Sequence, residues 1–156
     1  MTKITLRHIT RELFRPCVRL SVTDDQKKFV AGNLYSLAQA KTNPLLHPFA
    51  IYGEEVIGRS IETEDEMRGF VMYQVMDGVG FIMRLMVDQR FQGQGYGTAA
   101  MKEVIRRLQM NPETEFIATS VHKENPRTLE FYKRLGFTIF IEEKKNEIYL
   151  KLDWYR

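Results

Sequence analysis

The chain opens with apolar and polar residues taking turns. "KITLRHI" alternates with a period of two, as a strand covered on one face does. "TRELFRPCVRLSV" shifts to helical spacing, broken or restarted near Pro16. In "DDQKKFVAGNLYSLAQAKTN", Phe29, Val30, Leu34, Leu37 and Ala38 fall along one helical face, with Thr23 as the expected N-cap. "PFAIYG" predicts a short strand and "EEVIG" the start of its hairpin return, while the acidic "IETEDEMRG" predicts an exposed connection. "FVMYQVM" and "GFIMRLMV" predict two strands joined by a tight turn at Asp77-Gly78. Ala100, Met101, Val104, Ile105 and Leu108 then recur at helical spacing. "EFIATSV" predicts another strand, and Asn125-Pro126 opens a helix that stops at Gly136. "FTIFIEE" and "NEIYLKLDW" close the chain as a hairpin. The order predicts an α/β fold of the mixed-sheet kind, with a central, mostly antiparallel sheet and helices on both faces.

Composition narrows the function classes. With 156 residues, 44% hydrophobic and 28% charged, the chain suits one domain over residues 1–156 with one core. The net charge of +3 comes from 23 basic and 20 acidic residues with no dense basic block, so no nucleic-acid partner is expected. A lone cysteine, Cys17, excludes an internal disulfide and a cysteine metal cluster, and no metal site is expected. No apolar run reaches the roughly 18 residues of a membrane span, and the amino terminus lacks a signal-peptide core. A cytoplasmic protein is the default expectation.

The stretch "QRFQGQGYGTAAM" places Gly93, Gly95 and Gly97 at alternate positions between a strand and a helix. Amides of such a turn converge at the positive end of the helix dipole and form an anion cradle, for which a phosphate or pyrophosphate is the natural guest. A Walker loop would need a Lys after the glycines, and Gly97-Thr98-Ala99 has none. A dinucleotide fingerprint needs a wider glycine spacing and more chain than the 59 residues that follow Gly97.

"VDQRFQGQGYGTAAM" resembles motif A of the GNAT acetyltransferases, read as Gln92-x-x-Gly95-x-Gly97, and "ENPRTLEFYKRLGF" resembles their motif B. The resemblance covers almost the whole chain, and within the family it is strongest to bacterial polyamine (spermidine/spermine) N-acetyltransferases. It implies a GNAT fold and acetyl-CoA as co-substrate. The pyrophosphate would lie on the backbone of Gln92, Gly93, Gln94, Gly95, Tyr96 and Gly97, with the Thr98 hydroxyl as an extra donor. A bulged strand through Leu85, Met86 and Val87 would open away from its neighbour and bind the pantetheine arm. An N–H near Met86 would face the oxyanion. Asn125 would meet the pantetheine from the other side, or serve only as a helix cap. Arg127 and Lys133 would meet the 3′-phosphate, and Tyr132 would be the general acid at the leaving sulfur.

Some polyamine enzymes of the family take the amine's proton with a glutamate on the strand before the glycine turn. Here that strand carries Met83 and Arg84. Arg84, alone in an apolar run, needs a carboxylate or the substrate as partner. Glu55, His122 and water are the alternative bases, and Glu55 and Arg84 are the expected substrate contacts. The acidic stretches "EE" at 54–55 and "ETEDE" at 62–66 would suit a polycation or simply face solvent. The expected partner is a small-molecule amine, first a polyamine. Alternatives are an aminoglycoside-type antibiotic, an amino acid or a protein N-terminus, or a non-catalytic acyl-CoA sensor. By family analogy a homodimer is possible.

Overall fold

Apolar residues on successive strand positions point to opposite faces, so a sheet covered on both sides needs two apolar sets per strand. The computed structural model describes the backbone of residues 1–57 and 60–153 and the side chains of residues 1–54 and 66–153. β1 (Ile4–His8) is followed by α1 (Arg11–Arg19), α2 (Asn33–Thr42), β2 (His47–Ile57), β3 (Ser60–Met76) and β4 (Val79–Val87). Then come α3 (Tyr96–Met110), β5 (Phe116–His122), α4 (Pro126–Arg134), β6 (Thr138–Lys144) and β7 (Glu147–Leu152). The sheet runs β1-β2-β3-β4-β5-β7-β6. β4 and β5 are parallel, which requires a crossover, and α3 supplies it.

Two cores result. Phe49, Ile51, Val71 and Tyr73 face α3, where Ala100, Met101, Val104 and Leu108 form the buried stripe. Their neighbours Ala50, Tyr52, Phe70 and Met72 face the other way and pack with Cys17, Leu20 and Leu46. The predicted mixed sheet with helices on both faces is therefore observed. The Asp77-Gly78 turn is formed with both residues at positive φ, +52° and +82°.

Four expectations are corrected. α1 continues through Pro16, because the packing of Cys17, which is 0% exposed, with Leu13 and Leu20 outweighs one missing backbone hydrogen bond. The second helix starts at Asn33, with Gly32 and not Thr23 before it. The Thr23 N–H donates to Gln26 Oε1 at 3.1 Å within a turn. Asn33 is buried and donates from Nδ2 to the Cys17 carbonyl at 2.9 Å, which sets the helix's phase and turns Leu34 outward, 56% exposed. "PFAIYG" and residues 54–57 of "EEVIG" belong to one strand, β2, with bulges between Ile51 and Glu54. The acidic stretch is not a connection but the first part of β3, paired with β2 from Ile57↔Ser60 to Glu54↔Thr63. That ribbon extends past the last rungs of β1 (Ile4↔Gly53) and β4 (Gly69↔Val87), so neither strand needs an apolar neighbour there.

Candidate active site

β4 and β5 pair only from Val79↔Phe116 to Ile82↔Thr119. The next residue, Met83, is an extra one: Met72 pairs with Arg84 and Tyr73 with Ile82. This bulge bends β4 away from β5 and leaves residues 83–87 without partners across the gap. The Thr119 hydroxyl donates to the Ile82 carbonyl at 3.1 Å, a side-chain rung at the apex of the wedge.

The turn after β4 is fixed at each step. Asp88 is 3% exposed and accepts from the Ser21 N–H (2.9 Å), the Arg90 N–H (3.0 Å) and Arg90 Nε (2.8 Å). Burial raises its pKa, but the hydrogen bonds from Arg90 and Ser21 outweigh that and hold the carboxyl below the usual aspartate range. Gln92 Nε2 donates to the Val87 carbonyl (2.9 Å) and to Gln26 Oε1 (2.8 Å). Gln26 Nε2 donates back to Gln92 Oε1 (3.2 Å). Gly93 and Gly95 take φ of +76° and +89°, a region that penalises any Cβ. Gly95 is the N-cap of α3, and no side chain caps that helix. Its first N–H groups therefore lack intrahelical acceptors and face the groove at the dipole's positive end.

That groove has a volume of about 580 Å³. It brings together Leu85, Met86, Val87, Gln92, Gly93, Gly95, Tyr96, Gly97, Thr98, Asn125, Arg127 and Tyr132. Gln94 does not line it; its carbonyl instead accepts from the Thr2 hydroxyl at 2.5 Å. Arg134, not Lys133, joins Arg127 in the lining, and Lys133 Nζ lies 4.0 Å from Glu130. Tyr96 is held from behind, where Arg68 Nε donates to its hydroxyl at 3.3 Å.

A second cavity, of about 300 Å³, fills the wedge. Phe29, Val30, Leu85, Asn125, Thr128 and Tyr132 line both spaces, so the two adjoin. Asn125 caps α4, its Oδ1 accepting from the Thr128 N–H at 3.3 Å, with Pro126 at the first helical position. This places Tyr132, two turns on, at the junction. Tyr132 is 4% exposed, edge-on to Phe131 and Phe137 at 5.1 and 5.3 Å. Burial pushes its pKa up to about 12, opposed by a hydrogen bond with Thr119.

Arg84 lines the wedge cavity, and of the two partners expected for it, a carboxylate or the substrate, no carboxylate lies within 4 Å among the described residues. Its guanidinium donates to the Met83 carbonyl (2.9 Å), turned out by the bulge, and to Gln39 Oε1 (3.2 Å), while Nε is buried without a partner. Burial lowers its pKa. The side chain of Glu55 lies outside the described residues. His122 lines the cavity, and with it comes Glu147, which sequence reasoning did not single out. The two are register partners between β5 and β7.

The profile described as "Acetyltransferase (GNAT) family" matches residues 33–137, and the chain belongs to that family. It is therefore an acetyltransferase by family. It is 23% identical over 142 residues to the spermine/spermidine N(1)-acetyltransferase of Bacillus subtilis (strain 168), covering 86% of this chain and 87% of that one. A domain from Methanocaldococcus jannaschii superposes with a TM-score of 0.75 at 15% identity over 99% of this chain and 100% of that one. The Campylobacter jejuni N-acetyltransferase PseH in complex with acetyl coenzyme A gives 0.65 at 18%, over 97% and 99%. Among the described residues no helix is long and apolar enough to cross a membrane.

Proposed function

We propose that the chain transfers the acetyl group of acetyl-CoA to a primary amine seated in the wedge cavity, with a polyamine as the first acceptor. The observation that carries this reading is that the two spaces adjoin at Tyr132, which lines both. The groove fits the co-substrate: uncapped amides behind Gly93 and Gly95 suit a diphosphate, and Arg127 and Arg134 suit a further phosphate. The exposed edge of β4 at Leu85–Val87 offers backbone groups to an extended amide chain, as an added strand would, and an N–H near Met86 to the carbonyl oxygen.

Tyr132 is the acid. A phenol with a pKa near 12 keeps its proton at neutral pH and can yield it to a thiolate leaving beside it. Asn125 and Thr128 border both substrates and orient them. The polyamine assignment is supported by the Bacillus subtilis relative. Arg84 favours a second reading, because a fixed cation in the cavity wall repels a polycation more than a singly charged amine. Thiol release from acetyl-CoA, measured over spermine, spermidine, monoamines, amino acids and an aminoglycoside, decides between them. Turnover with spermidine far above the monoamines supports the polyamine, and the reverse order supports the second reading. Calorimetry showing no binding of acetyl-CoA at millimolar concentration would sink both.

A further inference from the structure

We propose that Glu147 binds the acceptor's ammonium group and takes its proton. This rests on the reading of the wedge cavity as the amine site. An alkylammonium must lose a proton before its nitrogen can attack, so a basic lone pair must face the cavity. Among the described residues, Glu147 is the carboxylate lining it. Tyr132 is held protonated, Arg84 is a cation, and Thr119, Ser120 and Thr128 offer only hydroxyls. His122 is engaged otherwise. Its Nδ1 accepts from the Glu124 N–H at 3.1 Å, so the neutral ring carries its hydrogen on Nε2 and has no free lone pair. Its ring is held against Phe29 at 5.3 Å.

Glu147 is free for the task. It follows the Lys145-Asn146 turn, whose residues have φ of +52° and +68°, and its pairing with His122 turns it to the β5 end of the wedge. Its half-buried carboxylate makes no hydrogen bond and no ion pair within 4 Å among the described residues. The charged and titratable groups around it are Arg84 from β4, His122 from β5, Lys123 just beyond it, Lys144 from β6 and Tyr132 from α4. Lys123 is already paired with Glu143 at 3.1 Å. Burial pushes the Glu147 pKa up, against His122 and Arg84, which favours a proton acceptor over a permanently ionised anchor.

The step balances. One N–H proton of the ammonium passes to a Glu147 carboxylate oxygen, leaving the lone pair on nitrogen. That pair forms the C–N bond at the thioester carbonyl carbon. The C–S bond breaks with its electrons going to sulfur, which takes the Tyr132 proton, and the second nitrogen proton restores Tyr132. Glu147 returns its proton to solvent.

The test is Glu147→Gln, with Glu147→Asp as a second variant and thermal unfolding as the check on folding. We expect kcat/KM for the amine to fall at least about 100-fold in Glu147→Gln. Acetyl-CoA affinity should hold, the acidic limb of the pH profile should disappear, and Glu147→Asp should keep part of the rate. A Glu147→Gln enzyme with the parent kcat/KM and acidic limb overturns the proposal. In the parent protein with CoA bound, the carboxyl carbon of Glu147 should shift in NMR spectra as propylammonium is added. No shift at saturating probe also overturns it, whether or not turnover is detected. Absence of acetylation of any amine, by contrast, counts against the proposed function and leaves this readout intact.

Discussion

Replacing Tyr132 with Phe removes one oxygen and keeps the ring in its edge-on packing with Phe131 and Phe137. Two separable effects follow. The proposed acid is gone, so kcat should fall by about 10²–10⁴, or about 3–5 kcal/mol of barrier, with acetyl-CoA affinity nearly unchanged. The second effect is on stability. At neutral pH the variant loses one buried hydroxyl hydrogen bond with Thr119, worth about 1 kcal/mol. At alkaline pH the sign reverses. The Tyr132 pKa is 10.0 without its surroundings and about 12 when folded. A raised folded pKa contributes stability that is complete below pH 10 and lost as pH rises through 12, about 3 kcal/mol in all. By pH 11 roughly half is gone, about 1.4 kcal/mol, which exceeds the hydroxyl's contribution. Urea unfolding of both proteins from pH 8 to 11.5 should give stability curves that cross a little below pH 11. Cys17, also pushed up to about 12 by burial, weakens both proteins equally and does not move the crossing. Thiol release gives the rate. An unchanged kcat refutes the acid role; curves that stay parallel refute the burial of a neutral phenol.

Gly95→Ala puts a Cβ at φ +89°, which costs about 1–2 kcal/mol, and 2.9 Å from the Thr2 hydroxyl oxygen. The displaced cap should raise the Kd of acetyl-CoA more than the KM of the amine, as calorimetry and steady-state kinetics would show. Asp88→Asn should lower stability by about 1.5–3 kcal/mol in urea titrations at pH 7, because three donors lose a charged acceptor. Since the folded pKa of Asp88 is depressed, that difference should shrink as pH falls below about 4.

The readable parts of this chain were those governed by local rules. The Asp77-Gly78 turn, the α3 stripe, the Asn125 cap and the positive-φ glycine turn before α3 each depend on neighbours a few residues away, and each is found where the pattern puts it. The misread parts depend on distant partners. Phe29 and Val30 look helical by spacing, yet they sit in the turn segment before Gly32 and line both cavities. The acidic run looks like a loop because the sequence does not reveal that β2 accompanies it. Arg84, alone in an apolar run, calls for a carboxylate or the substrate as partner, and the sequence does not show that the bulge at Met83 brings it a carbonyl. Glu147 carries no one-dimensional signal: it is one polar residue in an alternating hairpin, and only the β5–β7 pairing brings it to the wedge.

Four residue pairs join β4 to β5, while each strand is bound along most of its length to its other neighbour. The molecule is thus two jaws on a short seam. One jaw, β1 to β4, carries the wall on which the donor's arm would rest. The other, β5 with β7 and β6, carries His122 and Glu147. On the proposed placement of the two substrates, changes in the terminal hairpin would reshape what the mouth accepts without touching the glycine turn, so a single scaffold would diversify its acceptors while its donor stays fixed.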